Sequence, residues 1–408
     1  MARWIGYGMA LLPVVGATVP FVLGTGTSSG IVAALMLAIA LLGLWVLRLI
    51  ATRNLVIAQS PINLPVVTVI LVWLLATVSS NVFLDPRIAV RLGTAFTIVQ
   101  VAALMVTMVS LGLLLLGANV GIDRRFVRLS TWAILAVGAL AISAYFAGFE
   151  PQLSALNTNG LFTLWVVALS YGQALFNQRL SYPARFGLLS IAGAFLVKTA
   201  IFQTGWLSGW APAVTAVGLL TLFRSRSLFF GGVVLAAIVG LGFEGRIYDA
   251  VFQSQLDEGS DSRLDIWAQA WDLLSQYPLL GTGPAGYAAY YMTLYAGSGS
   301  SLSTHSNYID VAAQTGIAGS VAFIWLLVMV GVTAWRACQR WKDGFEGGFV
   351  HATAAGFVGV IVAMALGDWL IPFVYNQGIE GFRYTVHSWV FLGFMAGLAN
   401  ARPEQTER

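Results

Sequence analysis

Residues 93–117 read GTAFTIVQVAALMVTMVSLGLLLLG, with no charged side chain anywhere in the run. As a helix rising about 1.5 Å per residue, a run of this length outreaches the roughly 30 Å hydrocarbon layer of a bilayer. Further apolar runs lie on both sides of it, at roughly 5–23, 30–50, 64–83, 131–149, 161–176, 186–203, 209–223, 228–243, 312–334, 349–366 and 384–400. The composition agrees: 58% of the 408 residues are hydrophobic and 9% charged, where a soluble domain carries about 25% charged residues. That much apolar surface cannot be hidden in a core, so lipid must solvate part of it. The fold class expected is an all-α integral membrane protein of about 12 transmembrane helices. The first run follows Arg3 and contains Pro13 and Pro20, and a cleaved signal peptide is the minor reading there. The single cysteine, Cys338, rules out an internal disulfide and a thiolate metal cluster.

The charges give a side to each loop. Fifteen of the 21 Lys and Arg fall in one alternate set of loops, from Arg3, Arg48 and Arg53 through Arg124, Arg125, Arg128, Arg179, Arg185, Arg224 and Arg226 to Arg336, Arg340, Lys342, Arg402 and Arg408. Lys and Arg flanking the spans mark the cytoplasmic side, so both termini are expected inside. Fifteen bases against five acids leave +10 there, and six against twelve leave −6 outside, in accord with the net charge of +4. Topology explains the inner bases. It does not explain the outer six, Arg87, Arg91, Lys198, Arg246, Arg263 and Arg383, each of which serves either an ion pair with a nearby acid or an anionic ligand.

One long outward loop divides the chain into residues 1–243, 244–311 and 312–408. Within it, Ser262-Arg-Leu-Asp265 resembles a capping box and opens a helix ending at Tyr277-Pro278, with Leu264, Trp267, Trp271 and Leu274 on one apolar face. That face suits a helix at the headgroup level, or one packed on the outer ends of the spans. Arg263 at the helix start adds a guanidinium to free backbone N–H groups, which makes an anion site suited to a diphosphate. Pairing with Asp257, Glu258 or Asp261 is the competing account. The turn Gly281-Thr-Gly283-Pro-Ala-Gly286 follows no strand, so it reads as close backbone packing and not as a nucleotide loop. Next, Thr304-His305-Ser306-Asn307 precedes a helix re-entering the membrane, with Gly316 and Gly319 as a break and a close-packing point. His305, alone among the three histidines in an outward loop, can act as general base on a sugar hydroxyl or simply end the helix. No His-Glu-x-x-His pattern occurs, and the loop acids match no standard calcium loop. Neither a metal nor a cofactor is expected, and no nucleic acid.

These residues carry a resemblance. His305-Ser306, then Gly316-Ile-Ala-Gly319, with Ser262-Arg263, Trp267 and Pro278-Leu-Leu-Gly281-Thr-Gly283 upstream, resemble the signature of the bacterial O-antigen ligase and O-antigen polymerase family. The resemblance implies a metal-independent, GT-C-type membrane glycosyltransferase of the inner membrane. Such an enzyme takes a glycan from undecaprenyl diphosphate on the periplasmic side. It passes the glycan to an acceptor hydroxyl, either on another lipid-linked repeat (a polymerase of O-antigen or exopolysaccharide) or on lipid A-core (a ligase). By that pattern His305 and Arg263 are the catalytic pair, Arg263 holding the diphosphate and His305 serving the acceptor. Other polysaccharide-assembly proteins are possible partners. Family members often carry a Ser-Arg-Gly-like element after the seventh span. Here that turn, Phe202 to Trp210, has no arginine, which makes Lys198 a substitute. Arg87 and Arg91, four residues apart, are further candidates for the diphosphate, and Arg383, His387 and Asn307 are secondary ones. Polymerase is slightly favoured over ligase. A flippase is the rival class, disfavoured because the spans are almost free of charge. A structural partner without activity is the third.

Overall fold

The computed structural model describes residues 2–24, 30–53, 57–149, 161–203, 206–242, 263–295, 303–372 and 378–401. Ser262, Arg246, Asp257, Glu258 and Asp261 fall outside these, as does the side chain of Arg263. Every apolar run named from the sequence coincides with a helix. In chain order the helices are α1 (Ala2–Thr18), α2 (Ala33–Ala51), α3 (Asn63–Val82), the short α4 (Pro86–Leu92), α5 (Thr94–Val120), α6 (Arg124–Phe146), α7 (Leu161–Phe176), α8 (Tyr182–Val197), α9 (Leu207–Arg224) and α10 (Arg226–Gly242). The shorter helices α11 (Arg263–Gln276) and α12 (Gly286–Leu294) follow, then α13 (Asn307–Arg340), α14 (Gly344–Leu366) and α15 (Phe382–Asn400). Two short strands, β1 (Val22–Leu23) and β2 (Ile31–Val32), pair antiparallel. Among the described residues, eight helices are long and apolar enough to cross a membrane: α2, α3, α5, α6, α8 with the turn after it, α9, α13 and α14.

The centre of the bundle is α7, α14 and α15, whose side chains are buried along nearly their whole length. Small residues let the backbones meet. Gly117 and Gly121 at the end of α5 face Gly393 and Gly397 of α15, and a β-carbon on Gly117 would come within 2.8 Å of the Gly393 α-carbon. With no water to expel between helices, such close packing is what holds membrane helices together. The rim is apolar and uncovered. On α3, Leu64, Leu71, Leu75, Val78 and Val82 are all exposed, a helical stripe that only lipid can satisfy.

A second, smaller core sits at one end of the bundle. It joins Ile88 of α4 and Phe96 of α5 with Ile266, Ala270 and Leu273 of α11, three tyrosines of α12, and Ala313 of α13. This corrects one expectation. The face of α11 that packs inward is Ile266, Ala270 and Leu273, while Leu264 and Trp271 are 72% and 71% exposed. The helix is apolar on two sides, so periodicity alone could not select the buried one. On the other side Trp267 and Leu274 are half-buried, so that face is only partly open.

Candidate functional site

α13 is broken at Gly316, whose φ of +66° and ψ of −163° are not helical. A break inside the membrane region leaves amide and carbonyl groups that must find other partners. The turn after α11 supplies them. Thr282 N–H donates to the Ala313 carbonyl (3.0 Å) and Gly283 N–H to that of Gln314 (2.8 Å), while Ile317 N–H donates to Pro278 (2.8 Å) and Ala318 N–H to Leu279 (3.2 Å). The backbones come so near that a β-carbon on Gly316 would lie 2.4 Å from the Leu279 carbonyl, and one on Gly281 2.5 Å from that of Gln314. The glycine-rich turn is thus the close-packing element expected. On its other side buried Gln100 of α5 accepts from Ser80 (2.9 Å) and Asn81 (2.6 Å) and donates to Thr282 O (3.2 Å).

α11 and the outer half of α13 are joined a second time at their starts: Trp267 Nε1 donates to the Thr304 carbonyl at 2.8 Å. The first attachment pairs Pro278 with Ile317, the second Trp267 with Thr304. Both chains therefore advance in the same direction, and the two helices lie parallel. Their N-termini end up at the same level, one opened by Arg263 and the other by Asn307 just after His305. The positive ends of two helix dipoles collect there, each with an acid in its first turn, Asp265 and Asp310.

The turn that carries His305 is tightly held. His305 is half-buried and has φ +51°, a left-handed backbone unusual for a residue with a β-carbon. Its N–H donates to Ser303 Oγ (3.0 Å), and Ser303 Oγ–H donates to Asp368 Oδ2 (2.5 Å), with Asp310 Oδ2 3.5 Å away. Ser303, Asp310 and Asp368 are all buried. Asn307 is buried too. Its Oδ1 accepts from the N–H of Leu370 (2.9 Å) and of Ile371 (3.3 Å), and its Nδ2 donates to Ile371 O (2.9 Å). Asn307 therefore clamps the turn that carries Asp368. Ser303 and Asp368 were not singled out from the sequence. Their only signal is an acid just past a span end, in Gly367-Asp-Trp369.

The other candidates lie as follows. Lys198 opens a π-helical turn, Lys198–Phe202, at the end of α8; it is buried, with Nζ 4.5 Å from the Tyr145 ring centre. Single π turns recur at functional sites. The following turn places Trp206 6.0 Å, ring to ring, from Trp369, the neighbour of Asp368. Arg87 is held by Asp85 through two hydrogen bonds (Nε 3.1 Å, Nη2 2.7 Å), and this guanidinium keeps the Asp85 carboxyl below its usual range. Arg91 donates to the Met292 carbonyl. Arg87 thus closes the start of α4 on itself, and Arg91 fastens α4 onto α12. Next to them, burial and the Asp272 carboxylate push the Tyr295 hydroxyl up to about 12, so it stays a donor to Asp272. Arg383 is half-buried, 6.0 Å over the Tyr384 ring. His387 is fully buried in the bundle, its ring 5.8 Å from Phe162, well suited to packing.

Residues 187–324, about a third of the chain, match the model of a family described as O-antigen ligase. The match takes in Lys198, Arg263, His305 and the whole paired unit of α11, the glycine turn and the broken helix. It leaves out Arg87, Arg91, Arg383 and His387. Among curated proteins, none matches the chain.

Proposed function

We propose that the chain, whose residues 187–324 match the O-antigen ligase family model, transfers a glycan from undecaprenyl diphosphate to an acceptor sugar hydroxyl on the outer face of the cytoplasmic membrane. The observation that carries this reading is the parallel pairing of α11 with α13, pinned by the Trp267–Thr304 hydrogen bond. It sets the start of the Arg263 helix beside the His305 turn, inside the matched segment.

In the proposed reaction the acceptor oxygen attacks the anomeric carbon. The bond from that carbon to the diphosphate oxygen breaks, and its electron pair leaves with the diphosphate. The acceptor's proton passes to the imidazole of His305. The developing charge on the diphosphate is met by Arg263 and by the two helix N-termini, which is electrostatic stabilisation of a leaving group that is already good. Lys198 supplies the second cation in place of the arginine missing from the turn after the seventh span. Arginine and lysine hold phosphate differently, so the donor contacts at that turn are those of a point charge. Arg87 and Arg91 could join only by giving up Asp85 and Met292. The strained backbone at His305, held through Ser303 and Asp368, fixes the imidazole toward the acceptor, and strain of this kind collects at active sites.

Extension of lipid-linked repeats, a polymerase activity, is the first choice. Transfer to lipid A-core is the second. Purified protein given lipid-linked repeat units separates them. A ladder of longer lipid-linked chains identifies a polymerase, and product formed only after lipid A-core is added identifies a ligase. Movement of the donor across liposomes with no new glycosidic bond would refute both.

A further inference from the structure

A cavity of about 220 Å³ lies between α1, α2, α5 and α6. Its walls include Arg3, Trp45, Arg48, Asn119, Asp123 and Phe126. Two guanidiniums from two different helices therefore border one small space. The one carboxylate in the wall, Asp123, is already held from outside the cavity: Arg125 Nη2 lies 2.7 Å from its Oδ2, and Arg125 Nε donates to its Oδ1 at 3.1 Å. With that charge offset, Arg3 and Arg48 remain in excess.

The depth of the cavity follows from α5. Gln100, which holds the glycine turn, lies on the outer part of that helix, and Asn119 lies nineteen residues further along. At about 1.5 Å per residue the two are roughly 28 Å apart, close to the thickness of the hydrocarbon layer. The cavity is thus at the opposite membrane–water boundary from His305, on the arginine-rich side. Trp45 suits that level, while Ile5 and Leu116 add apolar wall. Counting about 30 Å³ per water, the space holds roughly seven waters' worth of ligand, enough for a phosphate with a glycerol-sized group.

We propose that this cavity binds the phosphate headgroup of an anionic phospholipid from the adjoining leaflet, between Arg3 and Arg48. The planar guanidinium fork matches phosphate oxygens, and basic pockets between membrane helices at this level take anionic headgroups. A lipid is favoured over free phosphate because Ile5, Leu116, Val120 and Phe126 give the cavity apolar wall that a bare anion would leave unused. Bound there, it ties α1, α2, α5 and α6 together at the end where their charges repel.

The test uses the full chain in neutral detergent, titrated with phosphatidylglycerol, phosphatidylcholine or inorganic phosphate while Tm is followed. Phosphatidylglycerol should raise Tm saturably and the other two should not. The pair Arg3→Gln with Arg48→Gln should weaken half-saturation by roughly tenfold or more. Arg226→Gln with Arg336→Gln removes as much charge from the same side, outside the cavity, and should leave it unchanged. Both cavity arginines are exposed, so folding should survive. Counting bound phosphatidylglycerol by native mass spectrometry on Arg48→Gln alone repeats the test independently. Equal affinity in the cavity pair and the unaltered chain would overturn the proposal. So would equal loss in the control pair, which would mean a general field, or an inorganic phosphate response matching that to the lipid, which would mean a free anion.

Discussion

His305 shows how much a single residue can carry and how little of that is visible in sequence. Its position before a helix, eleven residues ahead of a glycine break, was legible. Its φ of +51° was not, because the restraint comes from Ser303 and Asp368, and Asp368 is 63 positions away in the chain. A β-carbon in the left-handed region costs roughly 1 kcal/mol relative to glycine. His305→Gly should therefore be about 1 kcal/mol more stable than His305→Ala, by thermal unfolding, while both lose glycan transfer. If His305 only ends the helix, both variants would keep activity. Asp368→Asn should lower transfer through the turn and not through the donor. The expected result is a fall in kcat with little change in KM for the lipid-linked substrate. Arg87 was equally legible as a cation, and its partner is Asp85, two residues away, the ion-pair reading of such a cation. Because Arg87 depresses the Asp85 carboxyl in the folded state, this contact stabilises above the unfolded value of about 3.9 and is lost as pH falls below it. Tm should drop more steeply between about pH 5 and pH 3 in the unaltered chain than in Asp85→Asn.

At the level of elements, periodicity located the helices and missed how two of them join. Apolar runs report burial in lipid or protein without saying which, so α11 showed two plausible faces and the inward one was the one not chosen. The glycines were better guides. Gly281 and Gly316 have no room for a β-carbon and both have positive φ, so they mark the place where a broken helix is completed by another segment's backbone. Gly316→Ala should cost at least about 2 kcal/mol from strain and overlap combined. It should also free the outer layer, read as faster protease cleavage between α11 and α13. Equal cleavage in variant and unaltered chain would mean the turn is not fixed by this contact.

For the whole molecule, hydropathy marked the apolar helices and the charge distribution gave an expected sidedness, since both depend on composition and not on contacts. The packing order around α7, α14 and α15 was not readable, because small residues at α5 and α15 are interchangeable with many others until the partner helix is known. Sidedness remains a prediction with a direct check. In a Cys338→Ser background, Trp271→Cys on the exposed side of α11 should react with an impermeant thiol reagent in intact cells. Lys342→Cys, exposed in the turn between α13 and α14, should react only after permeabilisation. The reverse pattern would invert the topology and move the His305 turn to the wrong leaflet for the proposed donor.

The central claim is that the paired starts of α11 and α13 form a glycan-transfer site. The measurement that tests it most directly is product formation from lipid-linked repeat units by purified, reconstituted protein, unaltered and as Arg263→Ala and His305→Ala, with lipid A-core supplied in a parallel reaction. New glycosidic bonds are expected from the unaltered chain, with a loss of at least about a hundredfold in each variant and folding retained by Tm. Undiminished bond formation in both folded variants would contradict the site.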